Sequence, residues 1–161
     1  MKIQNSLCCF FAMIALVSCD KNRVFDEYKS VGSSWNKDSI VSFELPQLEA
    51  AKKYNLFVNV RDNNDFPFNN LFLIVSLEQP NKQTVVDTLE YLMADTDGTL
   101  LGEGFTDIKE NKLIFKQKAV FNQKGIYKIS IQQAVRETGK IVGEKELKGV
   151  TEVGFRIESI E

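Results

Sequence analysis

The sequence of 161 residues contains no histidine. Histidine is the side chain most used for proton transfer near neutral pH and a common zinc ligand, so Ser-His-Asp catalysis, Cys-His catalysis and histidine-bound zinc are all excluded. Carboxylates, lysine, tyrosine, serine and threonine remain for chemistry. The missing histidine therefore removes the most frequent catalytic routes without excluding every enzyme. We predict no catalytic residues, no cofactor and no metal.

Cysteine is almost equally scarce. The three cysteines are Cys8, Cys9 and Cys19, so the rest of the chain has no disulfide, no thiolate nucleophile and no cysteine metal ligand. A domain built from residues after Cys19 must be held together by packing alone.

A long apolar run is also lacking. The run from Leu7 to Val17 has about half of the ~20 residues that a transmembrane helix needs. It follows Lys2 and ends in small residues, which is the pattern of a secretory signal: a cationic start, an apolar core and a cleavage site. We interpret residues 1–18 as a signal peptide.

The signal ends in "LVSC", residues 16–19, which resembles a bacterial lipobox. In such signals diacylglycerol is attached to the cysteine sulfur, a peptidase cuts before the cysteine, and the freed amine is acylated, for instance with palmitate. Leu16 and Ser18 would be recognised by the peptidase, and Cys19 would carry the lipid. Because each buried CH₂ contributes about 0.8 kcal/mol, several acyl chains on one residue give stable anchoring.

Neither sign of charge is in large excess. The 20 basic and 22 acidic residues give a formal net charge of −2, which provides no electrostatic footprint for nucleic acid. We expect no nucleic-acid partner. We also expect membrane affinity to come from the acyl chains on Cys19 and not from a basic patch.

The chain after the signal divides into two parts. Residues 19–39 are polar, with glycine and serine, and are interpreted as the lipidated N-terminus and a tether. Residues 40–161 contain seven or eight short strands between turn-rich linkers, and a helical turn is allowed only at 47–53. This spacing predicts one all-β domain, an antiparallel β-sandwich that is Ig-like or jelly-roll-like.

Alternation along the strands predicts which side chains form the core. The run 71–78 is apolar on both parities, as in a central strand covered on both sides. The remaining rows alternate with polar residues. The rows predicted to face inward are Tyr54, Leu56, Val58 and Val60; Tyr127, Ile129 and Ile131; and Thr151, Val153, Phe155 and Ile157.

Three linkers draw attention. Asp95, Asp97 and Gly98 form D-x-D-G, which predicts a tight turn more readily than a calcium loop because the later ligands are absent. Phe66, Pro67 and Phe68 predict either a plain hairpin connection or an exposed aromatic loop that binds a partner. The charged run 136–149 is interpreted as a hairpin or surface loop.

Two minor alternatives concern ligands. Glu103, Asp107 and Glu110 could form paired carboxylates of a hydrolase, although acidic loop residues are usually only solvated. A cell-envelope carbohydrate-binding module is the alternative to a protein-binding role, with aromatic rings that could stack on sugars. The candidate rings are Trp35, Tyr54, Tyr91 and Tyr127.

Several segments in order resemble the GldH family of gliding-motility lipoproteins of Bacteroidetes. The resemblance covers nearly all of the chain after the signal. It is carried by "RVFDEYKSVG", "KDSIVSF", "KKYNLFVNVRDNNDFPFNNLFLIVSLE", "DTLEYLMAD", "GFTDIKENKL" and "GVTEVGFRIE".

This resemblance implies a lipid-anchored protein of the cell envelope, at the outer membrane, that is needed for gliding. It implies that the chain acts with other gliding-motility lipoproteins or envelope proteins and overlaps with type IX secretion. The family carries no catalytic residues to transfer onto positions here. The expectation is a non-enzymatic protein that assembles or stabilises its partners.

Overall fold

The computed structural model describes residues 20–104, 106–137 and 139–160. This part of the chain is all β, as predicted, with ten strands where seven or eight were expected. No helix within it is long and apolar enough to cross a membrane. The strands are β1 (Arg23–Ser30), β2 (Ser34–Asn36), β3 (Val41–Glu44), β4 (Tyr54–Asp62), β5 (Asn70–Glu78), β6 (Thr84–Leu92), β7 (Lys109–Ala119), β8 (Lys128–Gln133), β9 (Glu146–Lys148) and β10 (Val150–Ser159).

Eight strands form two four-stranded antiparallel sheets, and β2 pairs with β9. The first sheet has the order β1-β10-β4-β7 and the second β3-β8-β5-β6. Apart from β2 and β9, the first strand pairs with the last, the second with the second-to-last, and so on inward. Successive pairs alternate between the two sheets. This nested order is that of a double-sheet jelly roll, so the jelly-roll alternative describes this chain.

The core lies between the two sheets and follows the predicted alternation. Because successive side chains of a strand point to opposite faces, every second residue of β4 and β8 enters the core. The predicted inner residues of these strands are all buried: Tyr54, Leu56, Val58, Val60, Ile129 and Ile131, with Tyr127 just before β8.

The inner row of β10 departs from the prediction at one position. Its residues Val153, Phe155 and Ile157 are buried as predicted, but Thr151 is only half-buried. The pairing with β4 shifts register at this point, which leaves Thr151 as the extra residue of a β-bulge. The alternation slips by one residue, and Val150 is buried instead.

The segment interpreted as a tether belongs to the sandwich. β1 pairs with β10 along its length, and the Ser159 amide donates to the Asn22 carbonyl at 2.8 Å. Trp35 of β2 is fully buried, and its indole N–H donates to the Ser39 carbonyl at 2.9 Å. β1 has a weak sequence signal because it is an edge strand, and edge strands are often polar.

No helical turn forms at residues 47–53. The segment is irregular with a turn at residues 50–51, where Ala51 has a positive φ of 64°. Leu48 is buried in the core, and the Glu49 amide donates to the Tyr54 hydroxyl at 3.0 Å. These tertiary contacts stabilise the irregular conformation of the segment without the backbone hydrogen bonds of a helix.

The jelly roll gathers its loops at two opposite ends. We call the end at which β1 begins and β10 finishes the near end, and the opposite one the far end. A strand rises about 3.3 Å per residue, so the ten residues of β10 separate the two ends by roughly 30 Å. The near-end loops are 45–53, 79–83 and 120–127; the far-end loops, as far as they are described, are 31–33, 37–40, 63–69, 93–104 with 106–108, and 134–137 with 139–145.

Candidate functional site

The second sheet carries apolar side chains on its outer face near the far end. Phe72 and Ile74 of β5 point away from the core and are half-buried. Their neighbours across the sheet are polar, with Glu90 opposite Phe72 and Gln132 opposite Ile74. The outer face of β5 is therefore shielded from solvent only in part. What covers it is residues 134–137 and 139–144, which we call the wall segment.

The wall segment and β5 line an open groove with a volume of about 660 Å³. Its foot is fixed by Gln133, which is 2% exposed, donates to the Glu144 carbonyl at 2.7 Å and accepts from the Val135 amide at 3.0 Å. Its tip is open, because Ile141 is 93% exposed and Val142 is 73% exposed. The base of the wall segment is thus fixed by hydrogen bonds, and two aliphatic side chains at its tip are exposed to solvent.

The rim of the groove has charges of both signs. Lys37, Arg136 and Lys140 are the cations, and Glu137 and Glu144 are the carboxylates. Lys140 and Glu137 pair with each other within the wall segment. An apolar floor inside a polar rim is the usual composition of a surface that binds a protein segment. Within the described ranges, no cluster of three or more histidine, cysteine, aspartate or glutamate side chains could hold a metal.

The loop Phe66-Pro67-Phe68 lies beside this groove, and only one of its two rings is accessible at the surface. Phe66 is 6% exposed and belongs to the core, where its ring meets that of Phe68 edge-on with centroids 6.1 Å apart. The loop packs directly on Gly149, where a Cβ atom would lie 2.1 Å from the Phe66 nitrogen. Close backbone packing therefore draws Phe66 inward.

Pro67 and Phe68 stay accessible at the surface. With Phe72, Val135 and Arg136 they line a hollow of about 420 Å³. The same three residues also line the groove, so the hollow and the groove are continuous. The structure thus joins the predicted loop to a wall segment that was interpreted as a plain surface loop. Partner binding by the loop stays a prediction.

The candidate carboxylates do not form a catalytic pair. The backbones of Glu103 and Glu110 bond to each other at 2.9 and 2.8 Å. The Glu110 carboxylate accepts from the Tyr28 hydroxyl and from Arg61 Nε, both at 2.9 Å, while Asp107 is exposed. Burial and the neighbouring Glu110 raise the pKa of Tyr28 above its usual value. Because Arg61 neutralises its charge, Glu110 is a structural ion-pair partner.

Ion pairs cover the outer face of the first sheet. Arg61 also pairs with Glu152 at 2.6 Å, and its guanidinium lies 4.2 Å from the centroid of the Tyr28 ring. Toward the near end, Arg156 pairs with Asp26 at 2.7 Å and also with Asp20. This face is charged, whereas the outer face of the second sheet holds the apolar groove.

The aromatic rings proposed for sugar binding lie mostly inside the protein. Trp35, Tyr54 and Tyr127 are buried in the core. Tyr91 is half-buried and donates its hydroxyl to the Ile114 carbonyl at 2.8 Å. The carbohydrate-binding alternative therefore loses the exposed coplanar rings on which it depended.

The segment with Asp95 and Asp97 forms the predicted turn. The Gly98 amide donates to the Asp95 carbonyl at 3.0 Å, and the Thr99 amide donates to the Asp97 carboxylate at 2.9 Å. Gly98 has a φ of +86°, which explains the glycine at this position. The predicted lipidation residues Leu16, Ser18 and Cys19 lie outside the described residues.

Comparisons with known proteins agree on one family. Residues 23–157 match the family described as GldH lipoprotein. A protein named gliding motility lipoprotein GldH from Flavobacterium johnsoniae is 65% identical over 158 residues, which cover 98% of each chain. A protein named gliding motility lipoprotein GldH homolog from Christiangramia forsetii is 50% identical, over 92% of this chain and 91% of that one.

Among solved structures, the VP2 subviral particle of infectious bursal disease virus matches with a TM-score of 0.39 and 12% identity. The match covers 89% of this chain and 34% of that chain.

Proposed function

We propose, from the premise that the chain belongs to the GldH lipoprotein family, that it is a lipid-anchored envelope protein that assembles or stabilises partner proteins for gliding. The family name and the names of the relatives support a role in gliding motility, and membership in a lipoprotein family implies association with the envelope. The finer parts of the proposal are attachment through Cys19, location at the outer membrane, and non-enzymatic action with other gliding or type IX secretion proteins.

One observation carries the assembly role: Asp20, the first residue that the structure describes, and the groove lie at opposite ends of the sandwich. Residue 20 pairs with Arg156 at the near end, while Ile141 and Val142 extend from the far end. Attachment through the preceding Cys19 would therefore leave the groove facing away from the bilayer. A surface in that position can meet a partner protein without competition from lipid.

The chemistry of the described residues supports a non-enzymatic role. The sequence has no histidine, and the candidate carboxylate Glu110 is bound by Arg61 and Tyr28. A general acid or base must be free to exchange a proton with a substrate, and an ion-paired carboxylate is a poor candidate. The groove instead has the apolar floor and mixed rim of a protein-binding surface.

The anchor is tested by deleting the gene in the native host and scoring surface spreading and secretion. Wild type and Cys8→Ala should restore both, because Cys8 lies in the predicted signal peptide. Cys19→Ala should fractionate as a soluble, folded protein and fail to restore spreading. Full spreading with Cys19→Ala would contradict the anchored role.

The groove is tested by a charge at its tip. Ile141→Glu should abolish spreading and cross-linking to a neighbouring envelope protein, because a carboxylate replaces an aliphatic side chain that lines the groove and is 93% exposed in the free protein. The matched control is Val86→Glu on β6, a residue that is 58% exposed near the other end of the same sheet. Equal effects of the two variants, or no effect of Ile141→Glu, would contradict a role for the groove.

A further inference from the structure

The near-end loops form one continuous surface. The Gly125 amide donates to Gln47 Oε1 at 3.3 Å, which joins the loop 120–127 to the loop 45–53. The Gln123 side chain donates to that of Gln79 at 2.8 Å, which joins it to the loop 79–83. We call these three loops and residues 20–22 the near-end surface.

Charge is segregated between the two ends, although the whole chain is nearly balanced. The near-end surface has five cations, Lys21, Lys52, Lys53, Lys82 and Lys124, and two carboxylates, Asp20 and Glu49. The far-end loops have four cations, Lys37, Arg136, Lys140 and Lys145, and eight carboxylates, Asp38, Asp65, Asp95, Asp97, Glu103, Asp107, Glu137 and Glu144. The near end is therefore basic and the far end acidic.

The near-end surface also exposes apolar side chains among its lysines. Ile126 is 63% exposed and Val120 is 41% exposed, both in the loop that contains Lys124. Aliphatic side chains next to lysines are the composition of surfaces that lie at a lipid headgroup region.

The segment between Cys19 and β1 is short. Only residues 20–22 separate Cys19 from the first residue of β1, and fully extended residues span at most about 3.5 Å each, so the reach is roughly 14 Å. Much of it is used, because the Asp20 carboxylate binds Arg156 and the Asn22 carbonyl binds the Ser159 amide. A lipid on Cys19 would thus hold the near end at the membrane.

We propose that the near-end surface rests on the bilayer and that its lysines bind the headgroups of acidic phospholipids. This inference rests on the lipid attachment at Cys19 proposed above. Each lysine near an anionic membrane strengthens binding roughly fivefold. The acidic far end would be repelled if it approached the same membrane, so charge and anchor together orient the sandwich upright with its groove away from the lipid.

The orientation is tested on the full, lipidated chain with an environment-sensitive fluorophore. Since Cys19 carries lipid and Cys8 and Cys9 lie in the predicted signal peptide, Ile126→Cys provides a single free thiol on the near end. Ile141→Cys is the matched control at the far end. The labelled proteins are reconstituted into vesicles of phosphatidylcholine alone and of phosphatidylcholine with phosphatidylglycerol, and vesicle flotation is recorded in parallel.

We expect the Ile126 label to shift its emission to the blue, more strongly with phosphatidylglycerol, and the Ile141 label to stay as in solution. Reversing Lys21, Lys53 and Lys124 to glutamate should remove the phosphatidylglycerol effect. Reversing Lys140, Lys145 and Lys148, which are also exposed, should leave it unchanged.

The outcomes separate the inference from the anchor. If the chain floats with the vesicles but the Ile126 label does not shift, or shifts equally in both lipids or at both positions, the proposed orientation is refuted and the anchor stands. If the chain does not float, the anchor and the orientation are both refuted.

Discussion

Replacing the buried carboxylate of Asp62 should change how stability depends on pH. Asp62 ends β4 on the inner face and is fully buried. Asn111 Nδ2 donates to its Oδ1 at 2.7 Å, while its Oδ2 has no hydrogen-bond partner among the described residues. Burial raises the pKa of Asp62 to about 7, against the opposing effects of the Asn111 hydrogen bond and the charge of Lys109.

The direction of the change in stability with pH follows from the protonation of Asp62 in the folded and unfolded chains. The pKa of Asp62 rises from an ordinary value of 3.8 to about 7 on folding, so between these pH values the folded chain keeps a proton that the unfolded chain releases. The free energy of unfolding must therefore fall as pH rises through this interval and level off above pH 7. A shift of one pKa unit corresponds to about 1.4 kcal/mol, which gives an expected loss of about 2–4 kcal/mol.

Asp62→Asn removes the charge and keeps the shape and one hydrogen-bonding oxygen. We expect this variant to be more stable than wild type at pH 8 by about 2–4 kcal/mol, or roughly 5–15 °C in Tm, and to match it closely below pH 4. Urea unfolding of residues 20–161 at several pH values between 4 and 8 measures this. A wild-type stability that stays level across that range, or an unchanged slope in Asp62→Asn, would refute the argument.

Two further substitutions test the packing of β10. Phe155→Ala should cost about 3–5 kcal/mol in urea unfolding because its ring is fully buried against Phe115, whereas Ile141→Ala, at a 93% exposed position, should stay within about 0.5 kcal/mol of wild type. Gly154→Ala should cost about 1–3 kcal/mol, because its Cβ would lie 2.8 Å from Tyr28 Cδ1 and from the Glu27 carbonyl oxygen. Stabilities equal to wild type for either variant would show that β10 adjusts to the change.

Alternation was sufficient to predict the central strands. β4 and β8 have one face against the core and pair on both sides, so burial imposes a period of two that is visible in their sequences. β1 was missed because pairing with β10 holds it in the sheet, and pairing through backbone atoms leaves little pattern in the side chains. The three-residue strands β2 and β9 are too short for a pattern to be recognised.

The candidate site was only partly accessible from the sequence. Both parities of β5 are apolar, which correctly indicated that its second face is not simply solvated. The wall segment covers that face of β5, although it lies about sixty residues further along the chain. No local sequence pattern predicts such a long-range contact. The sequence left open whether Phe66 is exposed, because loop residues usually lie at the surface, and only the packing of its backbone on the distant Gly149 decides that it is buried.

The sequence by itself determined the expected lipidation signal, the all-β class, the family and the absence of histidine and later cysteines, because each is a property of residue type or of neighbours along the chain. The tertiary structure decided the jelly-roll order, the short link before β1 and the segregation of charge. Composition sums charges without regard to position, and the near-zero total concealed a basic end and an acidic end. Only the folding of distant loops to the same end of the sandwich separates them.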